Sequence, residues 1–457
     1  MIYIGAIIAV QFIILTAYWL MKKYNPQGVL LVTGILMLTI SLCMGLTTIS
    51  LAEPTGSVVF DLFKTLKETF TTNLVRVGLM IMTIGGYVAY MKQIKASDTL
   101  VYVSMQPLSL LRKYPYVAAC SIVPIGQILF ICTPSAAGLG LLLSASILPV
   151  LVNLGVSRLT AASVITACTV FDMGPGSANT AKAAELAEMN NVLYFVEHQL
   201  VITIPMTILL MVIYYFTNRY YDKKDIEKGV STAQPAAMKE DFKAEAPLIY
   251  AILPVLPLIL LIVFSKYVQI FSVELDTTTA MFISMFVAMI FELIRSKSLK
   301  VVFAGLKAFW QGMGNMFTNV ITLIVAAEVF SRGLIGLGFI EALVEGSTHL
   351  GLSGVVIGIF ITIIIFLAAM LMGSGNASFF SFGPLIPNIA QKLGMAPVDM
   401  ILPMQLSSSM GRATSPIAGV IIAIADVAGV SPMQLAKRNM IPLVTVLIFM
   451  LIYNYAF

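Results

Sequence analysis

The chain has 457 residues, of which 59% are hydrophobic and only 11% are charged, and its mean hydropathy is +0.96. So few charges cannot solvate a globule of this length, which excludes a water-soluble fold. Long continuous apolar runs, such as 355–372 and 441–451, differ from the alternating segments of a β-barrel and predict an all-α polytopic membrane protein. The formal net charge of +5 lies mostly in loops beside the membrane, so it indicates orientation and not a nucleic-acid-binding surface.

The first segment, 1–20, has no basic leader region and no small-residue cleavage site, so we expect a retained helix. Apolar spans then follow one another along the chain, and several are shorter than the roughly 20 residues needed to cross a bilayer. Interruptions rich in Gly, Pro, Ser and Thr separate them, as in helices broken at membrane depth. The predicted spans are 2–21, 28–49, 74–91, 116–131, 137–154, 159–172, 192–216, 247–271, 277–294, 316–330, 352–372, 377–391, 398–406, 416–430 and 440–456.

Basic residues between the spans predict the orientation. A charged segment at 218–246 is a cytoplasmic linker between two membrane halves, 1–217 and 247–457. Both termini then lie outside, and Lys392 is the main basic residue left on the outer side. The basic residues that can all be cytoplasmic, besides those of the linker, are Lys22, Lys23, Lys92, Lys95, Arg112, Lys113, Arg158, Arg295, Lys297, Lys300, Lys437 and Arg438.

The two halves resemble each other at an offset of about 240 residues. Each half contains a hairpin, at about 116–154 and 352–393, followed by a broken helix, at about 159–190 and 398–430. An odd number of net crossings in the first half makes this repeat inverted, which is the architecture of secondary transporters with a central binding site.

Each repeat has two chain breaks with similar chemistry, and we expect them to form that site. Small residues with hydroxyl or amide groups leave the backbone free to face a ligand, and half-helix N-termini favour an anion. We also expect Ser415 to cap a helix whose first residue is Pro416. The candidate site residues are Thr133, Pro134 and Ser135 at the first hairpin tip, Ser374, Gly375, Asn376 and Ser378 at the second, Gly174, Ser177 and Asn179 at the first helix break, and Ser408, Ser409, Arg412, Thr414 and Ser415 at the second.

Arg412 is the most informative of these residues, since an arginine near the bilayer centre costs about 3 kcal/mol and is kept for a substrate, an ion or a partner. Its guanidinium matches a carboxylate bidentately, which predicts an anionic substrate. The alternative is internal pairing with Asp172, with Asp426 or with free carbonyls at the break. Asp172 is the coupling candidate, because a carboxylate at a helix break can ligate Na⁺, exchange H⁺ or neutralise Arg412.

The four cysteines and two histidines show no metal-binding or redox spacing, so we predict no metal site, no cofactor and no enzymatic role. The competing functions are a carrier for another organic anion or an amino acid, and an anion channel. A channel does not need paired interrupted repeats, and an enzyme needs a nucleophile or metal constellation.

Four sequence runs resemble the DcuC-type anaerobic C4-dicarboxylate transporters of the ion-transporter superfamily: 82–91, 137–142, 373–377 and 411–420. This resemblance implies a carrier of the bacterial inner membrane for succinate, fumarate, malate or aspartate, working in efflux or exchange. It also implies a homodimer, surrounded by membrane lipid, with a static scaffold and a transport domain that moves as an elevator. The superfamily's Ser-Asn-Thr tip signature is absent from both hairpin tips, which leaves proton coupling or plain exchange open beside sodium coupling.

Overall fold

The computed structural model describes residues 2–48, 51, 53–106, 113–227, 243–265 and 273–456. Within these ranges all regular elements are helices, and ten helical segments are long and apolar enough to cross a membrane. The predicted all-α, multi-pass membrane fold is confirmed. Of the charged linker, 228–242 lies outside the described residues.

The helices of the first half begin where capping groups satisfy free backbone N–H groups. Asn25 and Ser157 each accept a hydrogen bond from a first-turn N–H. Proline occupies the first helical position directly after Asn25, and again at Pro115, as the missing donor there allows. The helices are α1 (Ile2–Met21), α2 (Pro26–Cys43), α3 (Val58–Gln93), α4 (Ala96–Met105), α5 (Pro115–Cys132), α6 (Ala136–Asn153), α7 (Arg158–Ala167), α8 (Ala178–Leu186) and α9 (Asn191–Glu227).

The second half repeats this order of helices along the chain. It consists of α10 (Leu248–Val263), α11 (Thr277–Ser296), α12 (Leu299–Gly336), α13 (Phe339–His349), α14 (Gly354–Met372), α15 (Gly375–Phe382 and Ile386–Lys392, joined by a 3₁₀ turn), α16 (Pro397–Ala413), α17 (Gly419–Ala428) and α18 (Pro432–Ala456). The match extends to irregular backbone, because α3 and α12 each contain one π-helical turn, at Leu74–Gly78 and Phe317–Ile321.

The long helices α3 and α12 pack closely against each other and form one layer with α2 and α11. Glycines allow the approach: a Cβ on Gly312 would lie 2.5 Å from the carbonyl oxygen of Gly85, and one on Gly34 would lie 2.6 Å from the backbone nitrogen of Phe330. Small residues serve this purpose at helix contacts inside membranes. The two π-helical turns also contact each other.

The second layer is built from the hairpins and the broken helices. Helices α5 and α6 form the first hairpin, and α14 and α15 form the second. Helix α6 packs on α7 of its own half and on α17 of the other half, while α14 packs on α16 and α9 on α18. Elements of both halves therefore share one core.

A buried lysine joins the two layers. Lys182 of α8 is 1% exposed, and its Nζ donates to Glu185 at 2.5 Å and to Asn73 of α3 at 3.4 Å. The Asn73 amide in turn donates to Glu328 of α12 at 2.8 Å. This chain of contacts connects α8, next to the first helix break, with both long helices.

Candidate functional site

The first helix break separates α7 from α8 and contains two residues that helices do not accommodate. Gly174 has φ +103°, a backbone conformation that L side chains rarely adopt, and Pro175 follows it. Ser177 then caps α8 by accepting hydrogen bonds from the backbone N–H groups of Asn179 at 3.1 Å and Thr180 at 3.3 Å. The break thus ends in a helix N-terminus that faces the protein interior.

Asp172 lies in this break and is held by its neighbours. Its carboxylate accepts hydrogen bonds from the Ser177 hydroxyl at 2.6 Å and from the Asn179 amide at 2.9 Å. Its backbone carbonyl accepts one from the Gln405 amide of α16 at 2.8 Å. All four residues are buried, so the carboxylate is fixed in a polar site inside the core.

The second helix break has a different shape from the one expected. Helix α16 continues to Ala413, and α17 begins at Gly419 with Ala418 as its N-cap. The expected capping role of Ser415 is therefore wrong. The reason is a turn in which the Ala418 N–H donates to the Ser415 carbonyl at 3.2 Å, so that Pro416 precedes the helix instead of starting it.

The serines before this break lie inside α16. Ser408 donates its hydroxyl to the backbone carbonyl of Gln405 at 2.7 Å, and Thr414 donates to that of Gly411 at 2.8 Å. Such bonds to the preceding turn satisfy a hydroxyl without a ligand. Ser409 is also buried in this helix, but its hydroxyl has no such partner.

Arg412 sits in the last turn of α16 and reaches across to the first half. Its Nη2 donates to the backbone carbonyl of Thr169 at 2.8 Å, and its charge attracts that of Asp172. Within the described ranges the two side chains do not form an ion pair at 4.0 Å or less. Arg412 is therefore only partly engaged by the protein.

Four buried polar atoms in this region have no hydrogen-bond partner: Asn179 Oδ1, Ser409 Oγ, Arg412 Nε and Ser415 Oγ. Buried polar groups are rarely left in this state, because each costs about 1–3 kcal/mol. Three of the four can donate a hydrogen bond, which suits the oxygens of a carboxylate.

The second hairpin tip lies against the second break. A Cβ on Gly375 would approach the Ser408 carbonyl oxygen to 3.0 Å, and Gly373 has φ +70°. Ser374 caps α15 by accepting from the Ala377 N–H at 3.2 Å, and its helix N-terminus lies beside α16.

Two further residues were expected at this tip. Ser378 is buried and donates its hydroxyl to the Gly375 carbonyl at 2.9 Å, so its side chain is already satisfied. Asn376 is only partly buried. Ser374 and Asn376 are thus the tip residues with polar groups nearer to the surface.

The first hairpin tip lies against the first break in a matching way. Pro134 and Gly176 line the same small cavity. Ser135 caps α6 by accepting from the Gly138 N–H at 3.3 Å, and Thr133 donates its hydroxyl to the Leu129 carbonyl at 2.7 Å. In the described structure this tip is hydrogen-bonded to its own hairpin and not to Arg412.

Sequence reasoning missed the amides that connect the two breaks. Gln405 accepts from the Tyr194 hydroxyl at 3.0 Å and from the Gln199 amide at 2.9 Å, and Gln199 also accepts from the Gly174 N–H at 3.0 Å. Gln199 ends a π-helical turn, an irregularity frequent at functional sites. The signal that the sequence offered was a single amide side chain in an apolar run, as at 401–406.

A sequence model of the family described as "C4-dicarboxylate anaerobic carrier" matches residues 4–456. The chain belongs to this DcuC family. The anaerobic C4-dicarboxylate transporter DcuC of Escherichia coli K12 is 33% identical over 451 residues, which cover 98% of this chain and 96% of that protein. A probable DcuC of Vibrio cholerae is 32% identical over 437 residues, 94% of each chain. The family consists of carriers and not of enzymes.

Two solved membrane transporters share the fold. MtrF of Neisseria gonorrhoeae, described among antimetabolite efflux pumps, has a TM-score of 0.62 at 13% identity and covers 96% of this chain and 97% of its own. The YdaH transporter of Alcanivorax borkumensis has a TM-score of 0.56 at 14% identity, with 94% and 97% covered. At these identities the likeness concerns the fold alone.

The amide network generates a prediction about Gln405. Gln405→Met keeps the volume but strands the Asp172 carbonyl, the Gln199 amide and the Tyr194 hydroxyl, each at about 1–3 kcal/mol. We expect the melting temperature of the purified protein to fall by several degrees, whereas the exposed Gln391→Met should leave it unchanged. Equal melting of the two variants would contradict the role assigned to this network.

Proposed function

We propose that this protein is a secondary active transporter that carries C4-dicarboxylates, such as succinate, fumarate, malate and aspartate, by efflux or exchange across the bacterial inner membrane. Family membership supports the substrate class. The site assignment rests on one observation. Arg412, inside the membrane fold, has an unpartnered Nε, and the hydroxyls of Ser409 and Ser415, close to it in the chain, are unpartnered donors as well.

One carboxylate of the substrate would bind Arg412 and these hydroxyls. A charge-assisted bond to guanidinium is stronger than a neutral one, and it would fill donors that are otherwise buried without a partner. We assign the second carboxylate to the N-termini of α15 and α8, where the partial positive charge of the helix favours an anion. Because the substrate would make a single strong ionic contact, its binding stays reversible, as a carrier requires.

The arginine can be tested by a conservative change. Arg412→Lys keeps the charge but loses the planar fork, so we expect succinate counterflow in proteoliposomes to fall at least about 100-fold while the protein stays folded and membrane-inserted. Arg332→Lys is the matched control. Arg332 lies on α12, whereas Arg412 lies on α16, and it pairs with Glu328 of its own helix at 3.1 Å. Full counterflow in Arg412→Lys would remove Arg412 from the site.

We assign the coupling role to Asp172, with H⁺ or Na⁺ as the ion. Two hydrogen bonds hold its carboxylate near Arg412, so an ion that binds there changes the charge felt by the substrate.

Asp172→Asn keeps the shape of this side chain and removes its charge. We expect the variant to lose the dependence of succinate uptake on pH or sodium gradients while it retains succinate exchange. Uptake measured with imposed gradients checks this, and Asp426→Asn, at an exposed position of α17, serves as the control. If gradient dependence is the same in Asp172→Asn and in the parent, the coupling ion binds elsewhere.

For the transport step we propose an elevator motion, in which the layer of hairpins and broken helices moves against the layer formed by α2, α3, α11 and α12. Both hairpin tips contact the breaks of their own half, so tips and site would move as one body.

We also propose a homodimer assembled through the long-helix layer, with both termini outside. Light scattering of the detergent-solubilised protein measures the oligomeric state, and tagging of the termini measures their orientation.

Cysteine accessibility tests the motion. The test uses a background without the four native cysteines and the variant Asn376→Cys, at the second hairpin tip. We expect succinate to change, several-fold, the rate at which a membrane-impermeant thiol reagent modifies this cysteine. Lys300→Cys, at the exposed start of α12, should show no change. Equal responses at both positions would favour a rocking or channel-like mechanism over an elevator.

A further inference from the structure

A cavity of about 390 Å³ lies beside the first hairpin, between the end of α3, the start of α4 and helix α6. This volume is in the range of about 300–1,000 Å³ typical of small-molecule sites. Its walls are mainly aliphatic, from residues such as Leu139 and Leu142, and its polar groups come from Lys92, Ser97, Asp98, Thr133 and Ser135. The cavity therefore reaches the hairpin tip.

Lys92 is the cation of this cavity, and it is exposed. Within the described ranges Lys92 is in no ion pair, in contrast to Lys95, whose Nζ lies 3.4 Å from Asp98 and 3.4 Å from Glu245. Because Lys95 engages the carboxylate of Asp98, Lys92 remains available to an external anion.

Ser97 provides a second, independent indication of a ligand. It is 6% exposed and lines the cavity, yet its hydroxyl has no hydrogen-bond partner. It lies in the first turn of α4, while Ser135, which also lines the cavity, caps the N-terminus of α6. Two helix N-termini and a lysine thus line the same cavity as one buried hydroxyl, which favours an anion.

We propose that this cavity is a vestibule in which the dicarboxylate binds before it reaches the hairpin tip, with Lys92 on one carboxylate, the Ser97 hydroxyl as a second donor and the aliphatic wall against the carbon chain. The inference rests on the proposed transport function. With the orientation proposed above, the vestibule opens to the cytoplasm, the side from which efflux collects its substrate.

An exposed lysine contributes mainly by attraction in water, so its effect is modest and salt-dependent. We expect Lys92→Gln to raise the KM for succinate about three- to ten-fold in inverted membrane vesicles, with little change in maximal rate. The increase should shrink at high salt and be absent in right-side-out vesicles. Ser97→Ala should raise the same KM, and Lys113→Gln, an exposed lysine that is not a lining residue, should not.

The outcomes separate this inference from the function on which it rests. No succinate exchange by the parent protein would overturn the proposed function and the vestibule together. Two other outcomes would overturn the vestibule alone, provided that the parent protein exchanges succinate. One is an unchanged KM in Lys92→Gln, and the other is a loss of maximal rate by this variant in vesicles of both orientations.

A lipid phosphate could satisfy the same groups, so the KM is also compared in proteoliposomes of phosphatidylcholine and of phosphatidylglycerol. An effect of Lys92→Gln in both lipids supports the vestibule. An effect confined to phosphatidylglycerol would assign the cavity to a lipid headgroup and overturn the proposal.

Discussion

The fold depends on one constraint: a helix that breaks inside a membrane must find new partners for the backbone groups that the break releases. Here the second half supplies partners for the first break. The Thr169 carbonyl of the first break accepts from Arg412, and the Asp172 carbonyl accepts from Gln405 of α16. The first break is therefore not satisfied by its own half alone, and the two halves form one polar centre within an apolar core.

That centre is only partly satisfied, and the proposed function depends on this feature. Asp172 uses both carboxylate oxygens, whereas Arg412, Ser409 and Ser415 retain free donors. A purely structural network would close on itself, because unpaired buried groups are costly. A carrier needs the opposite: a site stable enough to keep its shape when empty, with donors left for an anion. The Gln199–Gln405 amides hold the shape, and the arginine region holds the free donors.

Composition and breaker residues predicted the all-helical membrane fold, because sparse charge and long apolar runs have few other solutions. Gly174-Pro175 and Gly373 mark real interruptions, since proline and a left-handed backbone end helices. The amide network was not predictable, because Gln199 and Gln405 are separated by 206 residues and meet only through the pairing of the halves. The cap at Ser415 was mispredicted, because a turn local to the break shifts the helix start. Whether the candidate residues bind substrate stays a prediction.

The central claim is that the free donors around Arg412 receive a substrate carboxylate. An experimental structure of the protein with bound succinate tests it most directly. We predict one carboxylate within about 3 Å of Arg412 and of the Ser409 or Ser415 hydroxyl. Succinate bound in a site that does not include Arg412, with these donors still unpartnered, would contradict it.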